Sequence, residues 1–242
     1  SPLSVTQFII DTTAPTVEEE TAVTTPSNDT TPRYTFSSNE AGTISYGGSC
    51  SSSDNSSSVG NNSIDFNTLD EGSYSNCTIR VTDSAGNTSS PPLSVNTFII
   101  DTTAPTVSST SPTDNQSSVS VSDNISVTFS ESMDNTSVTT NTSNTTCSGS
   151  LQLSSDSFST CVQMSSSPSS SDNLTFTVTP SLKMFYSATY KIRVTTTAED
   201  SAGNNIASQY TQTDGFKTTI TIPTTAGSAH SCFMLDNGSV KC

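Results

Sequence analysis

Six carboxylates recur in this chain as two matching sets. Asp11 opens the segment Asp11-Thr12-Thr13-Ala14-Pro15, Glu40 follows Asn39, and Asp83 opens Asp83-Ser84-Ala85-Gly86-Asn87. Asp101 repeats the first segment ninety positions on, Glu131 opens Glu131-Ser132-Met133-Asp134, and Asp200 opens Asp200-Ser201-Ala202-Gly203-Asn204. Carboxylate and carbonyl oxygens without histidine or thiolate suit a hard divalent cation, and calcium is the expected one. The same pentapeptides also read as plain turns, with glycine free to take a positive φ. No organic cofactor is expected.

Cysteine chemistry comes next. The six cysteines fall into three local pairs, Cys50 with Cys77, Cys147 with Cys161, and Cys232 with Cys242. One pair per segment predicts three local disulfides and an oxidising compartment. Cys77 shares a strand face with Ile79 and Val81, which turns it inward. Asp236-Asn237-Gly238 reads as a hairpin turn, and counting outward sets Cys232 opposite Cys242. The absence of a CxxC spacing argues against zinc. Catalysis has no support: His230 is the sole histidine, and its neighbour Ser231 is one serine among very many. Sequons are numerous. Asn28, Asn61, Asn76, Asn115, Asn124, Asn141 and Asn173 are the candidate acceptors for sugar, against a background in which serine and threonine alone create many such triplets.

These residues must be positioned by strands. Ile125, Val127 and Phe129 alternate with Ser126 and Thr128; Leu174, Phe176 and Val178 alternate with threonines; Tyr190, Ile192 and Val194 alternate with Lys191 and Arg193. Period two over short runs predicts half-buried antiparallel strands and an all-β chain of tandem β-sandwiches. In the first repeat the expected strands are Tyr34–Ser37, Thr43–Tyr46, Ile64–Leu69, Tyr74–Thr82 and Leu93–Ile100, with 51–62 a loose loop and Glu18-Glu19-Glu20 a solvated face or loop. Phe8 to Val17 recurs unchanged as Phe98 to Val107. That period suits one small sandwich. Residues 1–13 read as the closing strand of a preceding repeat plus a linker, 14–103 as one domain, 104–222 as a second, and 223–242 as a tail. In the second domain, 138–150 and 165–172 are Ser/Thr/Asn-rich excursions. In an antiparallel sandwich, the turn after the second strand and the turn before the last return to the pole where the chain enters. Each set of three carboxylates should therefore converge at a domain junction, where a cation would stiffen the connection.

Charge narrows the partners. The net charge is −15 with 7 basic residues against 22 acidic ones. Nothing here neutralises a phosphate backbone, so nucleic acid is not an expected partner. An anionic membrane surface is disfavoured for the same reason, and no apolar run reaches the length of a membrane span.

The linker Asp11 to Pro15, followed by Val81-Thr82-Asp83-Ser84-Ala85-Gly86-Asn87, resembles the tandem bacterial Ig-like domains of surface adhesins. In the second domain, Ser111-Pro112-Thr113-Asp114, Ile125 to Asp134, Thr189 to Val194 and Asp200 to Asn204 together resemble the S-layer-type Ig-like domain. The tail from Ala226 to Cys242 resembles the opening of a propeller repeat of the regulator-of-chromosome-condensation type. The resemblance implies tandem Ig-like sandwiches without enzymatic activity, at the cell surface or outside the cell, and it also points to calcium at the junctions. The reading that follows is an extracellular stalk module, structural or adhesive, whose partners are neighbouring Ig-like domains, identical subunits, or a surface receptor or glycan. Two alternatives stand beside it. One is a filament subunit that donates the strand Pro2 to Ile10 to a neighbour; the other is a carrier for a ligand-binding propeller.

Overall fold

The computed structural model describes residues 9–219, together with the backbone of two short strands at 233–234 and 240–241. The chain divides into two units, Ser1–Thr102 and Thr103–Cys242. Among the described residues there are strands and turns but no helix.

The described residues of the first unit carry nine strands. They are β1 (Val17–Thr21), β2 (Arg33–Ser38), β3 (Gly42–Gly47), β4 (Ser56–Ser57), β5 (Gly60–Asp65), β6 (Gly72–Tyr74), β7 (Thr78–Thr82), β8 (Leu93–Ser94) and β9 (Phe98–Ile100). They pair as β1-β2-β5, β4-β3-β7-β8 and β6-β9. Alternation selects the core: Tyr34 and Phe36 from β2, Ile44 from β3, Ile64 from β5, Ile79 and Val81 from β7, and Phe98 and Ile100 from β9 are all buried. Phe66 stacks between Tyr34 and Phe98, with both centroid separations at 6.2 Å. The acidic strand β1 is an edge, and charge on an edge discourages pairing with another chain. One of its glutamates is also anchored, because Glu19 Oε2 accepts from the Tyr34 hydroxyl at 3.1 Å and from the Asn96 N–H at 3.2 Å. Burial, then the Glu19 charge and this hydrogen bond, push the Tyr34 hydroxyl well above the usual tyrosine range.

Four sequence-based spans are corrected here. Residues 51–62 are not a loose loop, since β4 and the start of β5 fall within them. Strand β5 stops at Asp65; the Phe66 N–H turns to the Pro32 carbonyl at 3.1 Å, and the chain to Leu69 is irregular, with Phe66 and Leu69 buried and Asn67 and Thr68 exposed. The runs 74–82 and 93–100 are each broken in two, because the chain changes partner within them: β6 pairs with β9, whereas β7 pairs with β3 and β8. The phase of the apolar residues carried this signal. Leu93 and Val95 are odd-numbered and Phe98 and Ile100 even-numbered, so one straight strand cannot bury both pairs on one face.

The second unit contains β10 (Val107–Ser111), β11 (Val119–Ser120), β12 (Ile125–Phe129), β13 (Leu151–Ser154), β14 (Thr175–Val178), β15 (Thr189–Val194), β16 (Tyr210–Thr211) and β17 (Phe216–Thr219). Beyond them lies a two-stranded ribbon, β18 (Phe233–Met234) with β19 (Val240–Lys241). One sheet runs β10-β12-β14; the other runs β11-β17-β15-β13, with β16 beside β15. Strand β11 lies parallel to β17 and the remaining pairs are antiparallel. Between the sheets sit Ile125, Val127, Phe129, Leu151, Leu153, Phe176, Val178, Tyr190, Ile192, Val194 and Phe216.

The Ser/Thr/Asn-rich excursion at 138–150 is ordered by polar contacts rather than by a core of its own. The Ser150 hydroxyl, fully buried, donates to the Ser137 carbonyl and accepts from the Thr139 N–H, both at 2.8 Å. Gln152 is buried beside it; its Oε1 accepts from Arg193 Nε at 2.9 Å. The Arg193 guanidinium lies 3.9 Å from the centroid of the Phe158 ring. A buried polar group left without such partners would cost about 1–3 kcal/mol, so these bonds hold the excursion in one arrangement.

Candidate metal centre

The first carboxylate set meets inside the first unit. Asp11 lies in the approach to β1, Glu40 in the turn between β2 and β3, and Asp83 in the turn between β7 and β8. Each offers an oxygen, and the three oxygens lie within 4.8 Å of one another.

Local geometry explains how the turns hold them. The Asp83 N–H donates to the Asn87 carbonyl at 3.0 Å. In return the Asn87 N–H and Nδ2 donate to Asp83 Oδ1 and Oδ2, each at 2.8 Å. Asn87 also donates from Nδ2 to the Asp11 carbonyl at 3.2 Å, which fixes the entering chain against this turn. The other turn is latched too. The Thr16 N–H donates to Asn39 Oδ1 at 2.7 Å and the Asn39 N–H to the Thr16 carbonyl at 3.2 Å. Hydrogen bonding by the Asn87 amide, helped by backbone N–H groups of Asn87, Gly86 and Ala85, holds the Asp83 carboxyl below the usual aspartate range despite some desolvation.

The second set repeats the pattern. Asp101, Glu131 and Asp200 stand at the positions equivalent to Asp11, Glu40 and Asp83. Asp200 is buried, and its Oδ1 accepts from the Ala202 and Asn204 N–H groups at 2.8 Å while Oδ2 accepts from Asn204 Nδ2 at 2.9 Å. Ser130 takes the place of Asn39: its hydroxyl accepts from the Thr106 N–H at 2.9 Å and its N–H donates to the Thr106 carbonyl at 2.8 Å. Gly86 and Gly203 share a φ of 95°, where a side chain is disfavoured.

The donor chemistry fits a hard cation. Each triad is all oxygen, and each carboxylate oxygen that accepts an N–H keeps a second lone pair. Three negative charges this close repel one another, and a bound divalent ion removes that repulsion. Calcium tolerates irregular sets of carboxylate, carbonyl and water oxygens better than magnesium does, so it is the better match.

The remaining sequence candidates are placed as follows. Cys50 is bonded to Cys77 with a Cα–Cα separation of 5.2 Å, and Cys147 to Cys161 at 4.9 Å. Cys232, Cys242 and His230 lie outside the described residues, as does most of the strand expected at 2–10. Ile9 and Ile10 are described; both are exposed and neither is in a strand. Among the sequons, Asn28, Asn61, Asn76, Asn115 and Asn124 are exposed, and Asn173 is partly buried. Asn141 is buried, and its Nδ2 donates to the Asn144 carbonyl at 2.8 Å, so in the folded unit the atom that would carry sugar is withheld. Nor did sequence reasoning find the exposed apolar segment at Leu182 and Phe185. No period-two or turn signal marks it, since exposure of an apolar residue depends on what the rest of the fold leaves uncovered.

An antiparallel sandwich whose early strand runs parallel to its last, as β11 runs along β17, belongs to the immunoglobulin-like class of fold. Residues 101–219 match the family model described as Bacterial Ig-like domain. Among solved structures there is similarity to the N-terminal part of the bacterial S-layer protein SbsC, at 20% identity and a TM-score of 0.34. That alignment covers 48% of this chain and 24% of the other. No curated protein matches the chain.

Proposed function

We propose that this chain is an extracellular structural module, part of a stalk or adhesive surface protein, whose sandwich units bind calcium where the chain enters each one. The observation that carries this reading is the convergence of Asp11, Glu40 and Asp83 within the first unit, with the same three carboxylates recurring at equivalent sequence positions of the next repeat. Turn chemistry alone accounts for Asp83 and Asp200. It does not call for a glutamate from a different turn and an aspartate from the linker to accompany them in both repeats. The bacterial Ig-like family and the two disulfides favour a surface or secreted setting.

Calorimetric titration with calcium tests the cation. Two binding events are expected, one lost in Glu40→Gln/Asp83→Asn and the other in Glu131→Gln/Asp200→Asn. A chain that releases no heat with calcium, and melts identically with calcium or chelator, would rule out the cation. Labelling of intact cells with antibody against the chain tests the surface location separately.

A further inference from the structure

The second unit displays an apolar surface that its own core does not use. Leu182 and Phe185 are 78% and 75% exposed, and Tyr186 beside them is 37% exposed. They flank Met184, which is buried and whose N–H donates to the Val121 carbonyl at 2.9 Å. The backbone of Phe185 is pinned on both sides: its N–H donates to the Tyr190 hydroxyl at 2.9 Å, and its carbonyl accepts from the Thr218 hydroxyl at 2.6 Å. The exposed side chains are therefore presented on a fixed support. Next to them opens a pocket of about 270 Å³, with Val162, Met184 and Tyr190 in its lining. Cys161 also lines it, and the bond to Cys147 holds that rim in place.

Charge points to what would sit there. Lys183 lies between the two exposed apolar residues and lines the same pocket, whose lining contains no carboxylate. In a chain with 22 acidic and 7 basic residues, a lysine placed between two exposed apolar side chains, at a pocket with no carboxylate in its lining, is a local exception. A cation beside exposed apolar area is complementary to an acidic group carried beside an apolar one.

We propose that this surface docks a partner polypeptide through an aspartate or glutamate adjacent to a bulky apolar residue. The apolar side chain enters the pocket against Leu182 and Phe185, and the carboxylate meets Lys183. Pinning of Phe185 lowers the ordering cost of binding, which favours a recognition role over an accidental exposure. This inference is independent of calcium.

The test is panning of a phage-displayed random peptide library against the intact chain. Enriched sequences are expected to carry an acid beside an aliphatic or aromatic residue. A synthetic peptide of that sequence, followed by fluorescence anisotropy, should bind at least about tenfold more weakly to Phe185→Ser and to Leu182→Ser. Lys183→Glu should invert the selection toward Lys and Arg. These side chains are exposed, so unchanged melting of each variant serves as the folding control. No enrichment, enrichment unaffected by the substitutions, or binding of an acidic polysaccharide such as polygalacturonate in place of peptides would overturn the proposal.

Discussion

The side chain of Asn87 donates to the backbone carbonyl of Asp11, 76 positions earlier in the chain. The same amide nitrogen donates to Asp83, so one residue joins the entering linker to the turn before β8. Asn87→Ala removes both contacts and leaves the Asp83 carboxylate held by backbone N–H groups alone. Two partly exposed hydrogen bonds, one to a charged group, predict a loss of about 1–2 kcal/mol in urea unfolding of the first unit. Calcium affinity should fall with it. An unchanged midpoint would mean that water replaces Asn87 without cost.

The sign of a charge substitution in the triads should depend on calcium. Without a cation, Glu40→Gln relieves repulsion among Asp11, Glu40 and Asp83, and the melting temperature should hold or rise. With calcium, the wild type gains stability by mass action, about 2.7 kcal/mol at a hundredfold excess over Kd, and the variant should lose most of that gain. Calorimetric melts of both proteins in calcium and in chelator compare the two cases. Destabilisation of the variant in chelator would point to a purely structural role for Glu40.

Two glycines separate backbone strain from steric exclusion. Gly86 has a φ of 95°, and a Cβ added there would meet nothing within 4 Å. Gly86→Ala should therefore cost only the conformational term, about 1–2 kcal/mol. Gly48, at a φ of 75°, would place a Cβ 2.0 Å from the Asn76 carbonyl oxygen. Gly48→Ala should cost clearly more, because backbone must move to admit the methyl group. Equal unfolding midpoints for the two variants would contradict this.

The disulfides should contribute according to the loops they close. Separations of 27 for Cys50–Cys77 and 14 for Cys147–Cys161 give about 3.6 and 3.0 kcal/mol on the chain-entropy account. Both units have thin cores, so the paired substitution Cys50→Ala/Cys77→Ala should lower the first transition strongly. The paired substitution at Cys147 and Cys161 should affect only the second transition. Differential scanning calorimetry resolves these outcomes, and a single shared shift would contradict independent loops.

Acid should destabilise the second unit in a defined window. Hydrogen bonds from the Thr160 hydroxyl and N–H and from the Ser154 hydroxyl hold the Asp156 carboxyl at about 2. The N–H groups of Thr175 and Leu174 lower Asp172 in the same way. Burial alone would raise Asp114, but N–H groups of Gly215, Asp214 and Thr213 outweigh it and its carboxyl is also depressed. A carboxyl with a depressed folded value contributes stability that is present above its unfolded value of about 3.9 and lost as pH falls through the folded value. The melting temperature should be flat from neutral pH to about 5 and fall between about 4 and 2. Asp156→Asn should make that fall shallower.

Much of this fold was legible in the residues themselves. Alternation at Ile125, Val127 and Phe129, and at Tyr190, Ile192 and Val194, determines which faces turn inward, because side chains on a strand point to opposite sides in turn. The exact repeat of Phe8 to Val17 as Phe98 to Val107 determines that two units share a plan. The meeting of Asp11, Glu40 and Asp83 was also readable, since strand direction in an antiparallel sandwich decides which turns share a pole. Tertiary structure decided the rest. It split 74–82 and 93–100 between pairing partners, because the apolar phase changes within each run and only pairing shows where the chain crosses. It buried Asn141 while leaving Asn61 and Asn124 exposed, although all three head the same kind of triplet. It left Leu182 and Phe185 uncovered on a pinned backbone. Local sequence records what a residue prefers; whether that preference is met depends on which distant strands arrive to cover it.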